Sequence, residues 1–369
     1  MSQTKVEAPF VENNVPFRNL IINGDMQIAQ RGTTASITSD AYGGPDRYSY
    51  NVVDAGTWTV SQDTDVPSGQ GFHKSLKLDC TSADASVAAG SVFRFQQQIE
   101  TQFLARVMHG TSDAKQMVLS FWIKWDNSIG GNFAVDILNL NNSNNRTVSK
   151  LFSYTADSGW QKYVWNIPAD TGGNALTNDN TSAYYLQIFL AAGSNVTSGT
   201  MNTTWDTRVN ANRAAGQTIQ SASSTSNNVY ITGIQMEVSE TATDFEHLPH
   251  DVQLHRCKRY YQLISNTDGD AFGNGAHYGA NSIYMSEGIH PEMRTTPTLD
   301  VSGGTNYFRR YSAGNYDDFD GINLDGSSGP QFIEFFASSG DGHTGGTQGH
   351  ACFLRLNNSS ASFAYTAEL

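Results

Sequence analysis

The sequence predicts an all-β chain: two antiparallel β-sandwich domains joined by a short helix. Three observations predict it. Apolar and polar residues alternate in many short runs, which is the period of a half-buried strand. Turn-rich segments separate the runs at the spacing of a sandwich. Only 15% of the 369 residues are charged and Gly outnumbers Pro 34 to 9, whereas soluble domains average about 25% charged. The exposed faces of a helical bundle would need more Glu and Lys than this.

Residues 1–16 are polar, hold two prolines and show no periodicity. They read as an N-terminal arm, either loose or docked on another protein. Residues 17–249 carry the first set of strands. Leu76, Leu78 and Cys80 alternate, as do Met117, Leu119, Phe121, Ile123 and Trp125. The series continues with Phe133, Val135 and Ile137, then Tyr163, Trp165 and Ile167, then Tyr184, Leu186, Ile188 and Leu190. Val229 and Ile231 alternate, the phase slips at Gly233, and Ile234, Met236 and Val238 resume it. A one-residue slip at glycine predicts a β-bulge. Turns are expected at 126–131, 139–146, 170–180 and 193–228.

Residues 250–265 break the pattern. Leu254, Cys257, Tyr261 and Ile264 are spaced 3, 4 and 3, the period of a helix. Asp251 stands near its start, where a carboxylate meets the positive end of the helix dipole. A helix over Asp251–Leu263 linking two β domains is the expectation. Residues 266–369 are β again, with Ile283–Met285, Phe332–Ala337, Cys352–Leu356 and Phe363–Tyr365 as the clearest strands. The last of these should pair into a sheet. No repeat of fixed period occurs, which argues against a β-helix.

Composition excludes several roles. A net charge of −13 and a pI near 5.0 oppose nucleic-acid binding through phosphates. No apolar run approaches the 18 or so residues of a membrane span, so no membrane insertion is expected. The first residues do not resemble a secretory signal. Cys80, Cys257 and Cys352 are odd in number and widely spaced, unlike a disulfide framework or a cysteine zinc site. Synthesis in a reducing cytoplasm is expected.

Few motifs carry chemistry. Gly340–Gly345 matches G-x-G-x-x-G but leads into a strand, so a flexible hairpin loop is expected rather than a dinucleotide site. His247, His250 and His255 are poorly spaced for one metal. Asp317, Asp318, Asp320 and Asp325 form an acidic loop, but Phe319 falls where an EF-hand needs an oxygen; structural calcium is the one cofactor this loop suggests. There is no G-x-S-x-G elbow and no singled-out carboxylate pair, so no enzyme is expected. The Asn-x-Ser/Thr sites at Asn145, Asn195 and Asn202 reflect composition.

Aromatics are abundant, with 16 Tyr, 19 Phe and 6 Trp. An aromatic face stacks on the C–H face of a pyranose while neighbouring polar groups bond its hydroxyls. Trp58, Trp160, Trp205, Tyr307, Tyr311 and Tyr316 lie at predicted strand ends or turns, with Trp160 better placed in a half-buried core. The candidate ligand surface is Tyr307, Arg309, Tyr311, Asn315 and Tyr316, with Arg310 beside it.

Eight motifs occur in order: Asn19–Gly32 (NLIINGDMQIAQRG), Asp46–Tyr48, Phe95–Glu100, Val118–Lys124, Gly159–Lys162, Ile234–Val238, Thr243–Pro249 and Cys257–Tyr261. Together, across residues 17 to 262, the chain resembles the carbohydrate-binding-module-like jelly-roll domain of tail-fibre and other virion proteins of bacteriophages, marine cyanophages included. The resemblance implies a jelly-roll-like sandwich that binds sugars or serves structurally, usually in a homotrimer. It fixes no sugar site. It also implies a variable C-terminal tip, and Met293–Thr298 resembles the start of one. The expectation is a virion protein, a tail fibre or fibre tip, adhering without catalysis to host surface polysaccharide or lipopolysaccharide. Residues 1–16 would grip another tail or adaptor protein. The alternatives are a structural capsid or tail decoration protein and a polysaccharide depolymerase.

Overall fold

The computed structural model describes residues 16–343 and 345–369, so the expected arm lies outside it but for Pro16. The chain is all-β, built of antiparallel sheets in two compact units, Met1–Gln253 with Leu369 and Leu254–Glu368. Among the described residues no helix is long and apolar enough to cross a membrane.

The first unit is a two-sheet sandwich. Its strands in chain order are β1 (Thr34–Ile37), β2 (Ala41–Tyr42), β3 (Ser49–Val53), β4 (Thr57–Asp63), β5 (Ser75–Ser82) and β6 (Val92–Glu100). There follow β7 (Met117–Trp125), β8 (Gly131–Asn139), β9 (Arg146–Tyr154), β10 (Gln161–Ile167), β11 (Ser182–Ala192), β12 (Asp206–Thr207) and β13 (Asn228–Glu237). One sheet runs β1-β4-β5-β13-β7-β10 and the other β12-β9-β8-β11-β6-β3-β2. The period-2 pattern is why they pack. Leu119, Phe121 and Ile123 of β7 all turn into one core with Leu76 and Leu78 of β5 and Phe93 and Phe95 of β6. Each fully buried side chain of this kind is worth about 1.5–3 kcal/mol. Trp58 meets Phe93 across the sandwich at a ring separation of 4.3 Å. The bulge predicted at Gly233 is present: the β13–β7 register shifts between Thr232 and Gln235, and Gly233 has φ +64°.

The predicted helix is shorter than its pattern. It spans His250–Lys258, with Asp251 in its first turn and His255, Arg256 and Lys258 in its last, the charge order its dipole favours. Residues beyond it, read as helix to Leu263, instead form β14 (Tyr261–Ser265). Their backbone is claimed by antiparallel pairing, Tyr261 with Thr366 and Leu263 with Ala364. A full ladder of hydrogen bonds outweighs one more helical turn.

The second unit continues with β15 (Ala271–Gly279), β16 (Ser282–Gly288), β17 (Thr298–Ser302), β18 (Phe308–Ser312) and β19 (Asn315–Phe319). It closes with β20 (Asn323–Leu324), β21 (Phe332–Ser338), β22 (Ala351–Leu356) and β23 (Ser362–Thr366). A three-stranded sheet, β14-β23-β17, and a seven-stranded sheet, β19-β18-β22-β15-β16-β21-β20, enclose a core of Phe272, Met285, Phe308, Phe335, Phe363 and Tyr365. The C-terminal strand β23 pairs into a sheet, as its sequence predicts, and lies in its middle.

Candidate functional site

In the second unit, odd and even positions of β18 go to opposite faces. Phe308 and Arg310 turn inward and are buried, whereas Arg309 and Tyr311 face outward. The β18–β19 hairpin pairs Tyr311 with Tyr316 and Arg309 with Asp318. On its other edge β18 pairs Tyr311 with Phe353 and Arg309 with Arg355 of β22, and Phe353 pairs with Asn274 of β15. Register thus lines up Tyr316, Tyr311, Phe353 and Asn274 across four strands, with Asp318, Arg309 and Arg355 alongside.

The row is a platform rather than a core. Tyr316 is 62% exposed and Phe353 37%. The Tyr311 and Phe353 rings are nearly parallel, 9° apart at 4.9 Å, and Tyr316 lies 6.2 Å beyond Tyr311. Arg309 sits 4.3 Å over the Tyr316 ring while its Nε and Nη2 donate to Asp318 at 2.5 and 2.8 Å. Those bonds to Asp318 raise its pKa further and fix the guanidinium in a plane. Arg355 lies 5.3 Å from the Phe353 centroid. Further along the same face, Tyr284 stacks on Phe336 at 5.3 Å and 16°, beside Tyr278, 73% exposed.

Two grooves flank the hairpin tip. One, of about 440 Å³, is lined by Asn274, Tyr311, Asn315, Ala351 and Phe353. The other, of about 310 Å³, is lined by Arg310, Asn315, Tyr316, Asp317, Thr347 and His350. A buried polar cluster supports the second. His343 Nδ1 donates to Asp317 Oδ2 at 2.5 Å, Arg310 lies 3.6 Å from Asp317 and donates to the Gly345 carbonyl. His277 stacks on His343 at 5.6 Å. Burial pushes both imidazoles below their usual pKa. A Cβ at Gly346 would stand 1.9 Å from His277 Cε1, so only glycine lets the chain cross there.

Of the predicted ligand surface, Arg309, Tyr311 and Tyr316 come together and Asn315 lines both grooves. Tyr307 does not join them. It lies in the turn before β18 and packs against the core. Phe353, Arg355 and Asn274 were missed, although the alternation that buries Cys352, Leu354 and Leu356 puts Phe353 and Arg355 on the other face. Trp58 and Trp205 are core residues rather than strand-end ligands. Trp160 is half-buried, its Nε1 donating to Asp65 at 2.9 Å.

The acidic loop is dispersed. Asp317 and Asp318 serve His343 and Arg309, Asp320 accepts the Asn306 N–H at 2.7 Å, and Asp325 accepts that of Ser327 at 2.9 Å. Among the described residues no group of three His, Cys, Asp or Glu is placed to hold a metal ion. In the Gly340–Gly345 loop, expected to be flexible, His343 is buried, and Thr344 lies outside the described residues. In the first unit, the outward face of the seven-stranded sheet carries a polar row, Ser49, Gln96, Gln187, Asp136 and Ser149, in register. Residues 193–220 supply Arg213, whose Nε donates to Asp136 at 2.8 Å and which also bonds Gln187. Gln187, Asp136, Ser149 and Arg213 are thereby buried, so the chain itself closes that stretch of the row.

No family model and no curated protein sequence matches the chain. Solved structures do. The enzymatically active domain of tailspike protein 4 of bacteriophage CBA120 aligns over 61% of this chain at 14% identity and a TM-score of 0.31. The alignment spans only 22% of that tailspike chain. A CBM4 module aligns over 59% of this chain and 98% of its own, at 15% identity and TM-score 0.29. TmCBM61, solved with β-1,4-galactotriose, aligns over 60% and 99%, at 13% identity and TM-score 0.28.

Proposed function

We propose that this protein is a phage virion component, a tail fibre or fibre tip, that adheres without catalysis to host surface glycans through the Tyr316–Tyr311–Phe353 row. The observation that carries the reading is the row itself: Tyr311 and Phe353 stacked nearly parallel, Tyr316 tilted 51° beyond them, held at the surface by sheet register and flanked by guanidinium, carboxylate and amide groups. Ring faces are electron-rich and take the polarised C–H face of a pyranose. Arg309, Arg355, Asp318 and Asn274 supply the donors and acceptors for its hydroxyls. Exposed aromatic patches of this kind mark interaction sites. The phage setting rests on the ordered motifs of residues 17–262, and the homotrimer on the same resemblance; three copies would multiply a weak contact into avidity. A net charge of −13 disfavours strongly anionic polymers.

The test is a pull-down of the full chain on intact candidate host cells, with and without periodate oxidation of their surface. Binding that periodate abolishes is expected. Undiminished binding after oxidation, or none on cells the parent phage infects, contradicts glycan adhesion and favours a structural role.

A further inference from the structure

The bulge at Gly233 has a consequence on the outward face of the first unit's six-stranded sheet. There Trp122 of β7 stands in register between Lys162 of β10 and Thr232 of β13. The bulge brings the left-handed Gly233 backbone against the rings: a Cβ there would lie 2.5 Å from Phe72 Cζ and 3.0 Å from Trp122 Cδ1. Phe72, Phe245 and His247 form a mutual cluster with centroids 4.9–5.2 Å apart. The result is a concave pocket of about 320 Å³, lined by the partly exposed Trp122 and the buried Phe72, with Gln70, Lys162, Asp244 and His247 among its polar lining. Bulges concentrate beside functional sites because they re-aim side chains and admit close backbone approach. Neither Lys162 nor the Asp244 carboxylate has an ion-pair partner among the described residues.

We infer that this pocket is a second saccharide site, taking one pyranose ring of a glycan against Trp122. Lys162 donates to the ring's hydroxyls and Asp244 accepts from them. The partly exposed Trp122 ring suits the apolar face of a sugar, and a cation and a carboxylate in the same lining suit its hydroxyls. An unmodified alkyl ligand would leave both charges unanswered. The inference takes from the proposed function that the ligand is a glycan, but it concerns different residues in the other unit.

The test titrates the full chain with methyl glucoside, methyl galactoside and N-acetylglucosamine, read by saturation-transfer NMR. Wild type is compared with Trp122→Ala, Lys162→Ala and the double variant Tyr311→Ala/Phe353→Ala. At least one sugar should bind, about tenfold more weakly to Trp122→Ala and to Lys162→Ala. The Tyr311/Phe353 variant should keep a transfer signal that disappears when Trp122→Ala is added. Lys162 is exposed and unpaired, so its variant reads the pocket even where Trp122→Ala lowers stability. Binding unchanged in both pocket variants overturns this inference and leaves the platform reading standing. Binding lost only in the pocket variants upholds the pocket and overturns the platform. No binding of any probe to wild type overturns the pocket.

Discussion

At the scale of residues, alternation decided most of what was legible. Arg309, Tyr311 and Tyr316 could be assigned to an exposed surface because their strand neighbours, Phe308 and Phe319, are strongly apolar. Tyr307 was misplaced because it precedes β18, where the period no longer governs direction. The buried pair His277 and His343 had no sequence signal; one lies on β15 and the other in a loop more than sixty residues on. Their chemistry gives a prediction. The unfolded chain protonates both near pH 6.5, while burial keeps both neutral to lower pH in the fold. His343 is drawn the other way by Asp317, and Arg310 opposes charge on either ring; His350 also opposes it on His277. Below about pH 6.5 the unfolded state binds more protons, so the stability these groups give above that pH is lost as pH falls. Urea midpoints should drop between about pH 7 and about pH 5, and His277→Phe should flatten that drop. An unchanged slope in the variant contradicts the assignment.

At the scale of elements, strands with a strong period were readable and those whose partners lie far away in sequence were not. The Met117–Trp125 and Cys352–Leu356 runs are strands because each buries one face and pairs on both edges. The segment after Lys258 kept a helical spacing, yet pairing with β23, about a hundred residues later, made it a strand. The hairpin that presents Tyr311 and Tyr316 turns through Ala313 and Gly314, at φ +51° and +81°. Two positive φ values on a two-residue loop define a type I′ turn, which suits Asn-Gly far better than Ala-Gly. Ala313→Asn should therefore raise stability by about 1 kcal/mol. The check is paired denaturation curves of wild type and variant; destabilisation would contradict the turn geometry.

At the scale of the molecule, the fold class followed from composition and period, because a chain of short, half-buried strands has few ways to cover its apolar faces. The strand order was not legible, since sheets such as β19-β18-β22-β15-β16-β21-β20 pair segments distant in sequence. The platform inherits that limit: half of it sits on β22 and β15, and only the folded sheet sets Phe353 and Asn274 beside Tyr311. The central claim is that this row reads glycans. The most direct measurement is the affinity of wild type and of Tyr311→Ala/Phe353→Ala for immobilised host surface polysaccharide, with circular dichroism confirming both are folded. Both side chains are outward-facing, so the variant should fold and bind at least about tenfold more weakly, a loss of ~1.4 kcal/mol or more. Equal affinity of the two proteins would contradict the claim.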